Sequence, residues 1–314
     1  IRILNHNIMD SAKKTFYKIN NKNFPCVKYK TKEKEIVILP NSHGIDIKYI
    51  YYKKPKANQE KILLDIDSIK EESKYYTLFE YNNNEYIFNQ MYFEDSNMTV
   101  SFDNNVTIKN GIFCTIFEEN FIKSAQYPLV YTLSINKRTN NISDTTASEK
   151  FNDKFYLNSF SLIGKNDYLG ENSYFRRFRI NNIFDTEKNN IKSAKYYLNV
   201  LNDKNNGNLN IYLPKNNWSS IYMNWNNRPE INFEKIKYEY NKNNQYEINI
   251  GDFVKKCIED SKYIKESSGL NFLMNNGNII IATSENILMP SYYRIDFYNN
   301  LHYKNIVNIN DINT

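Results

Sequence analysis

Apolar and polar residues alternate with a period of two over much of this chain. Ile45, Ile47, Tyr49 and Tyr51 alternate with Asp46 and Lys48; Ile62, Leu64 and Ile66 alternate with Leu63, Asp65 and Asp67. Successive side chains of a strand point to opposite faces, so this pattern predicts antiparallel sheet with one face buried. Further strands are expected at Tyr86 to Phe88, Met98 to Phe102, Val106 to Ile108, Ile112 to Phe117 and Leu129 to Ile135. Turns fall at Gly44, Asn82 to Asn84, Asn104–Asn105 and Asn110–Gly111. The last pair is the strongest hairpin signal, because both residues tolerate the positive φ that a two-residue turn demands.

Between Asn136 and Asp153 apolar residues nearly vanish and Thr and Ser replace them, which predicts a linker or long loop over 137–153. Alternation resumes at Phe155 to Ile163. It continues at Tyr174 to Ile180, Ala194 to Leu201, Leu209 to Leu213, Tyr246 to Ile250, Leu270 to Met274, Ile279 to Thr283 and Tyr293 to Tyr298. In the last run Tyr293, Ile295 and Phe297 share one face, Arg294 and Asp296 the other. Phe253, Val254, Cys257 and Ile258 recur instead at helical spacing, predicting one short helix within Asp252 to Ser261. The expected fold class is all-β with two antiparallel β domains. The N-terminal one covers 1–136; the C-terminal one, a jelly-roll β-sandwich with one short helix, covers 154–300, with an extension at 301–314.

Hydrophobic residues make up 41% of the 314-residue chain, with 27 Tyr and 19 Phe, which is material for substantial cores and not a disordered composition. The net charge of +6 is modest and the lysines are dispersed, so nucleic acid is not an expected partner. No apolar run is long enough to span a membrane and no signal-peptide pattern opens the chain. It begins at Ile1 rather than Met, which reads as a processed or trimmed product and is compatible with a removed export signal. Cys26, Cys114 and Cys257 are too few and too widely spaced for a disulfide framework or a metal motif, and their apolar neighbours predict buried free thiols.

Both tryptophans, Trp218 and Trp225, fall in one segment, NWSSIYMNWNNRP, from Asn217 to Pro229. An indole buries a large ring yet must pair or wet its N–H, so such a cluster marks a packing corner or a ligand surface. Around it, several motifs follow in order: LIGKNDYLGENSYFRRFRI (Leu162 to Ile180), IKSAKYYLNVL (Ile191 to Leu201), the Trp segment ending in Asn226, Asn227, Arg228 and Pro229, YEINIGDFVKKCI (Tyr246 to Ile258), then GLNFLM and IATSENILMPSYYRIDFY with Ser284, Glu285 and Pro290. Over roughly Asp153 to Tyr298 this succession resembles the DNRLRE domain family, also classed with a carbohydrate-binding module family. GIDIKYIYY (Gly44 to Tyr52) and Tyr127 to Val130 resemble more loosely the β-rich region that often precedes such domains. The resemblance implies export, a bacterial or archaeal surface location and a β-sandwich. The chain departs from the family where Ser219 or Ser220 replaces an acidic residue, Asn249 and Gly251 replace the Asp and Thr opening the helix, and Cys257 replaces a helix Trp. Functions resting on those groups are not carried over.

Two readings of the Trp pair stand side by side: an aromatic platform for a pyranose ring, or packing at the end of the sandwich with Pro229 stopping a strand. Trp218 is the better ligand candidate, because Asn216, Asn217 and Ser219 make its surroundings polar. Arg176, Arg177 and Arg179 form a basic run that could clamp an anionic glycan, or a solvated strand face with one Arg buried against a carboxylate such as Glu285. The candidate glycan residues are thus Trp218, Trp225, Arg177 and Asn217. Asp153, Asp167, Glu171 and Asp296 are candidate ligands for a structural calcium, although no calcium-loop pattern is present. His6, His43 and His302 are scattered, and adjacent acids such as Glu71–Glu72 and Glu118–Glu119 would face apart on a strand, so no enzyme is expected. The terminal segments, IRILNHNIM and LHYKNIVNINDINT, either close their own domains or add to a neighbour's sheet edge. The function expected is a non-catalytic secreted or surface protein with a structural or adhesive role in a wall, spore or filamentous assembly. It would self-associate or bind other surface proteins. The alternative is a carbohydrate-binding module for a polysaccharide, acidic ones included.

Overall fold

The computed structural model describes residues 2–3, 12–19, 22–40, 43–73, 76–102, 105–138, 143–150, 159–178, 190–203, 207–220, 222–232, 234–241, 244–259, 269–284, 286 and 288–298. Among them the chain forms 24 strands and two helices, and the strands pair antiparallel throughout. The all-β expectation holds.

The N-terminal half contains β1 (Arg2–Ile3), β2 (Lys13–Ile19), β3 (Lys22–Lys30), β4 (Lys34–Pro40), β5 (Gly44–Tyr51), β6 (Gln59–Leu63), β7 (Ser68–Glu72), β8 (Tyr76–Tyr81), β9 (Asn84–Glu94), β10 (Val100–Ser101), β11 (Asn105–Lys109), β12 (Ile112–Ile116), α1 (Glu119–Ser124) and β13 (Leu129–Lys137). A nine-stranded sheet runs β2-β3-β4-β5-β13-β9-β8-β7 with β10 added to β9, and a four-stranded sheet runs β1-β6-β12-β11. Their facing sides bury Ile36, Tyr49, Phe88 and Tyr131 against Ile62 and Phe113, with Phe121 and Ile122 of α1 in the same core. Lys34 of β4 also reaches Glu60 of β6, both less than a tenth exposed. Tyr51 donates to the same carboxylate, and the ammonium lies 5.0 and 5.4 Å from the Tyr49 and Tyr51 ring centres. The Asn110–Gly111 turn forms as expected, with φ of 51° and 73°. Asn82 and Asn83, at 49° and 59°, join β8 to β9 in the same way.

Strands β2, β3 and β4 precede the first strand the pattern reveals, for two physical reasons. Most of β2 faces solvent, so it carries Lys, Thr and Tyr without an apolar stripe. The run in β4 is apolar on both faces: Ile36 enters the sandwich core, while Val37 and Leu39 pack on the other side with Cys26 and Ile50. A strand buried on both sides loses its period of two. Gly44 is the opening residue of β5 and not a turn; a Cβ there would lie 2.0 Å from the Ile135 carbonyl oxygen. Glu118 and Glu119 open α1 rather than lying along a strand.

The C-terminal half contains β14 (Asp144–Ser148), β15 (Phe160–Asn166), β16 (Gly170–Arg176), β17 (Ile191–Asn202), β18 (Leu209–Pro214), β19 (Ile231–Asn232), β20 (Tyr238–Asn241), β21 (Gln245–Asn249), α2 (Gly251–Glu259), β22 (Leu270–Met274), β23 (Asn278–Ala282) and β24 (Tyr292–Phe297). One layer is β19-β18-β22-β16-β15-β23 with β14 on the free side of β16; the other is β24-β17-β21-β20. Strand β17 belongs to both, pairing with β24 and β21 along Ile191 to Asn199 and with β23 at Val200 and Asn202. Ile163, Tyr174, Phe272 and Ile281 of one layer meet Ala194, Tyr196 and Ile248 of the other. The expected helix is α2, whose Phe253, Val254, Cys257 and Ile258 join that core.

The stretch 137–153, expected to be a linker or loop, contains β14, all five of whose residues are buried. It buries by polar complementarity. Thr146 donates to Ser161 at 2.8 Å, Ser148 to the Leu169 carbonyl at 2.9 Å, and Asp144 meets Arg176. No hydropathy pattern reports such a strand. The second face of the nine-stranded sheet lies against the C-terminal sandwich, where Tyr92 and Phe102 pack on Phe160, Leu162 and Ile280. Asn202 donates to Glu94 at 2.9 Å across this junction.

Candidate functional site

The Trp segment is a loop laid over the outer face of one layer of the C-terminal sandwich. It leaves β18 and returns at β19, and its base is closed by Lys215 N–H donating to the Glu230 carbonyl at 2.7 Å. Asparagines hold its shape, since their short amides accept from nearby backbone N–H groups. Asn224 Oδ1 accepts from Asn226 and Asn227 N–H at 3.0 and 3.2 Å, and Asn227 Oδ1 accepts from Asn224 N–H at 2.7 Å. The outer face it covers is made by Ala147 of β14, Ser173 and Phe175 of β16, and Asn271 and Leu273 of β22.

The loop separates the two tryptophans. Trp218, expected to be the better ligand candidate, is only 6% exposed and packs with Ala147, Phe175 and Met223. Its ring centre lies 5.7 Å from that of Phe175. Of the polar residues beside it in sequence, Asn217 turns its Oδ1 back to accept from the Trp218 N–H at 3.0 Å. Arg177 caps the indole. The guanidinium carbon is 5.1 Å from the indole centre, and Nη2 donates to Asn217 Oδ1 at 2.7 Å and to the Trp218 carbonyl. Arg177 and Asn217 are therefore committed to holding the loop. Arg176 is the buried member of the basic run, and its carboxylate is Asp144, at 3.1 Å. Glu285 and Arg179 lie outside the described residues.

Trp225 is half-buried and lines an open groove of about 340 Å³. Arg228 lies over its ring, 3.5 Å from the centre, and donates to the Trp225 carbonyl. Burial lowers the Arg228 pKa, opposed by the charges of Glu171 and Glu149. Lys215 and Glu230 flank the opening with a 3.4 Å ion pair. On the floor, Asn271 donates to Ser173 at 2.6 Å, while its Oδ1 is buried with no hydrogen-bond partner. The groove thus offers an aromatic edge, a guanidinium, carboxylates and an unused acceptor. Asn271 and Arg228 were missed in the sequence, where only the Asn-Asn-Arg-Pro run of the Trp segment pointed near them.

The calcium candidates among the described residues form no cluster of three acids. Asp167 lies in the β15–β16 turn and Glu171 at the groove. Asp296, on β24, accepts from Arg294 at 2.7 Å and Ser193 at 2.9 Å. Burial raises the Asp296 pKa, but those partners outweigh it and the net shift is downward. Asp153 lies outside the described residues. Among the described residues no three His, Cys, Asp or Glu side chains gather as a metal site. All three cysteines are buried and free, and burial pushes the Cys257 thiol up to about 12. Among the described residues no helix is long and apolar enough to cross a membrane.

No family model and no curated protein matches the chain. Solved structures that align with it include the C-terminal domain of the Streptococcus agalactiae antigen I/II polypeptide BspA, at 10% identity over 86% of this chain and 90% of that one, with a TM-score of 0.21. Another is the C-terminal domain of the Streptococcus pyogenes antigen I/II-family protein AspA, at 10% identity over 87% and 90%, with a TM-score of 0.20. Superpositions this loose carry neither a fold nor a role across to this chain.

Proposed function

We propose that this chain is a non-catalytic adhesive module of a secreted or surface protein, and that it holds a glycan in the groove beside Trp225. The observation carrying this reading is the groove itself. A half-buried indole, the guanidinium of Arg228 and the unpartnered Asn271 Oδ1 converge on one open face. Sugar sites combine an apolar face for C–H groups with a few fixed polar groups for hydroxyls. The resemblance of 153–298 to DNRLRE domains supports both the location and the ligand class. Arg228 brings positive charge for an acidic polysaccharide, while Glu171 and Glu230 favour a neutral one.

Affinity-gel retention over a panel of neutral and acidic polysaccharides, with Trp225→Ala and Trp218→Ala, tests the reading. Trp225→Ala is expected to keep the fold and lose retention. Trp218→Ala is expected to cost about 3–5 kcal/mol of stability through the cavity it leaves. Retention undiminished in folded Trp225→Ala protein would falsify the groove assignment. A structural, self-assembling role is the second reading. What favours it is the edge strand β2, whose Phe16 is 65% exposed, although Lys13, Lys14 and Lys18 on the same edge resist pairing. Electron microscopy of the purified chain separates an assembling subunit from a soluble binder.

A further inference from the structure

A second cleft, of about 270 Å³, opens where the nine-stranded sheet meets the C-terminal sandwich. Asp46 and Lys48 enter it from one face of β5, since residues two apart on a strand point the same way. Tyr92 and Glu94 enter from β9. Between them the β13–β9 ladder slips: Tyr131 pairs with Phe93 but Leu133 pairs with Gln90, leaving β9 with one extra residue opposite Thr132. Bulges of this kind re-aim side chains and recur beside functional sites. The C-terminal half closes the cleft with Leu201, Asn286 and Leu288.

The polar groups of the cleft have unspent bonding capacity. Lys48 spends one of its three N–H donors on Thr132, at 2.9 Å. Glu94 accepts from Asn202 through one oxygen. The Asp46 carboxylate accepts from no described residue, and burial pushes it up to about 6, with Lys48 opposing. Burial likewise raises Glu94 and lowers Lys48. Half-buried polar groups whose bonding capacity is not met are costly, and the cleft beside them, at about 270 Å³, has room for a ligand larger than one bridging water. The four charges of the lining also constrain the occupant. Lys18 and Lys48 repel a cation, and Asp46 with Glu94 repel an anion. A neutral ligand whose hydroxyls both donate and accept suits this balanced set.

We propose that this junction cleft binds a single neutral polyhydroxylated ring, such as one hexose unit of a glycan. Asp46 and Glu94 accept from its hydroxyls, Lys48 donates to them, and Tyr92 walls the ring. The site is independent of the Trp225 groove, so either assignment survives failure of the other.

Saturation-transfer NMR on the full chain, with free glucose, galactose and N-acetylglucosamine at millimolar concentration, tests it. At least one of these sugars is expected to receive saturation. Measured in Trp225→Ala protein, which removes the groove from the readout, Asp46→Ala should weaken the remaining binding about tenfold, the size of one lost hydrogen bond to a charged group. Should Asp46→Ala fail to fold, Asp46→Asn keeps the shape without the charge and is expected to weaken binding in the same direction. No transfer to any of the three sugars overturns the proposal. So does binding untouched by either Asp46 variant, or glucuronate binding more tightly than glucose.

Discussion

At the scale of single residues, the chain invests heavily in buried polar groups. Asp144 joins three parts of the C-terminal sandwich. It pairs with Arg176 of β16, accepts from the Tyr174 hydroxyl at 2.8 Å, and accepts from the Ser284 N–H at 2.8 Å. Replacing it with Ala removes the carboxylate that faces the buried Arg176 guanidinium, with an expected cost of about 3–5 kcal/mol. The urea midpoint reads this, and an unchanged midpoint would show the pair to be dispensable. Asp46 behaves in the opposite sense. Its folded pKa of about 6 stands above the ordinary 3.8, so between these values the folded chain binds the proton that the unfolded chain releases. Its contribution to stability is greatest at acid pH and is lost as pH rises through about 6. Asp46→Asn is therefore expected to stabilise the chain by about 1–2 kcal/mol near pH 7, with little gain near pH 4. Equal gains at both would mean that the carboxylate titrates normally. Of these residues, the sequence signalled that one arginine of Arg176, Arg177 and Arg179 needs a buried carboxylate. It could not say which, because the partner sits 32 positions upstream in a stretch nearly free of apolar residues.

Elements were legible where the cause of their shape is local. The Asn110–Gly111 hairpin needs only two residues with positive φ, and Gly111 has a further constraint in the Leu64 carbonyl, 2.4 Å from where a Cβ would stand. Gly111→Ala is expected to cost about 1–3 kcal/mol and to lower the melting temperature; a neutral effect would mean that the turn relaxes freely. Strands whose burial depends on distant partners were not legible. β4 is covered on both faces, β14 is buried through hydroxyls and a carboxylate, and β2 is barely covered at all. The Trp segment shows the same limit within one loop. Its neighbours in sequence mark Trp218 as the polar-faced one, yet the sheet beneath it, built by β14, β16 and β22, buries Trp218 and leaves Trp225 at the groove.

In the whole molecule the two halves share a face. Tyr92 and Phe102 pack on Phe160 with ring centres 5.4 and 5.9 Å from it. Composition and patterning foretold two β-rich halves but not this junction, since its aromatics alternate like any other core residues. Packing of this kind couples unfolding, so calorimetry is expected to show one transition for the native chain. Phe160→Ala, which empties the centre of the cluster, is expected to split it into two. Two transitions already present in the native chain would mean that the halves melt independently.

Strand β17 gives this arrangement a mechanical meaning. It pairs with β24 and β21 along most of its length and with β23 at its end, and its last residue, Asn202, grips Glu94 and the Met98 carbonyl of the other half. Tension drawn along β17 is spread over three ladders at once and loads their hydrogen bonds in shear, not one after another. A tether anchored through this strand would hold under pull until many bonds gave way together.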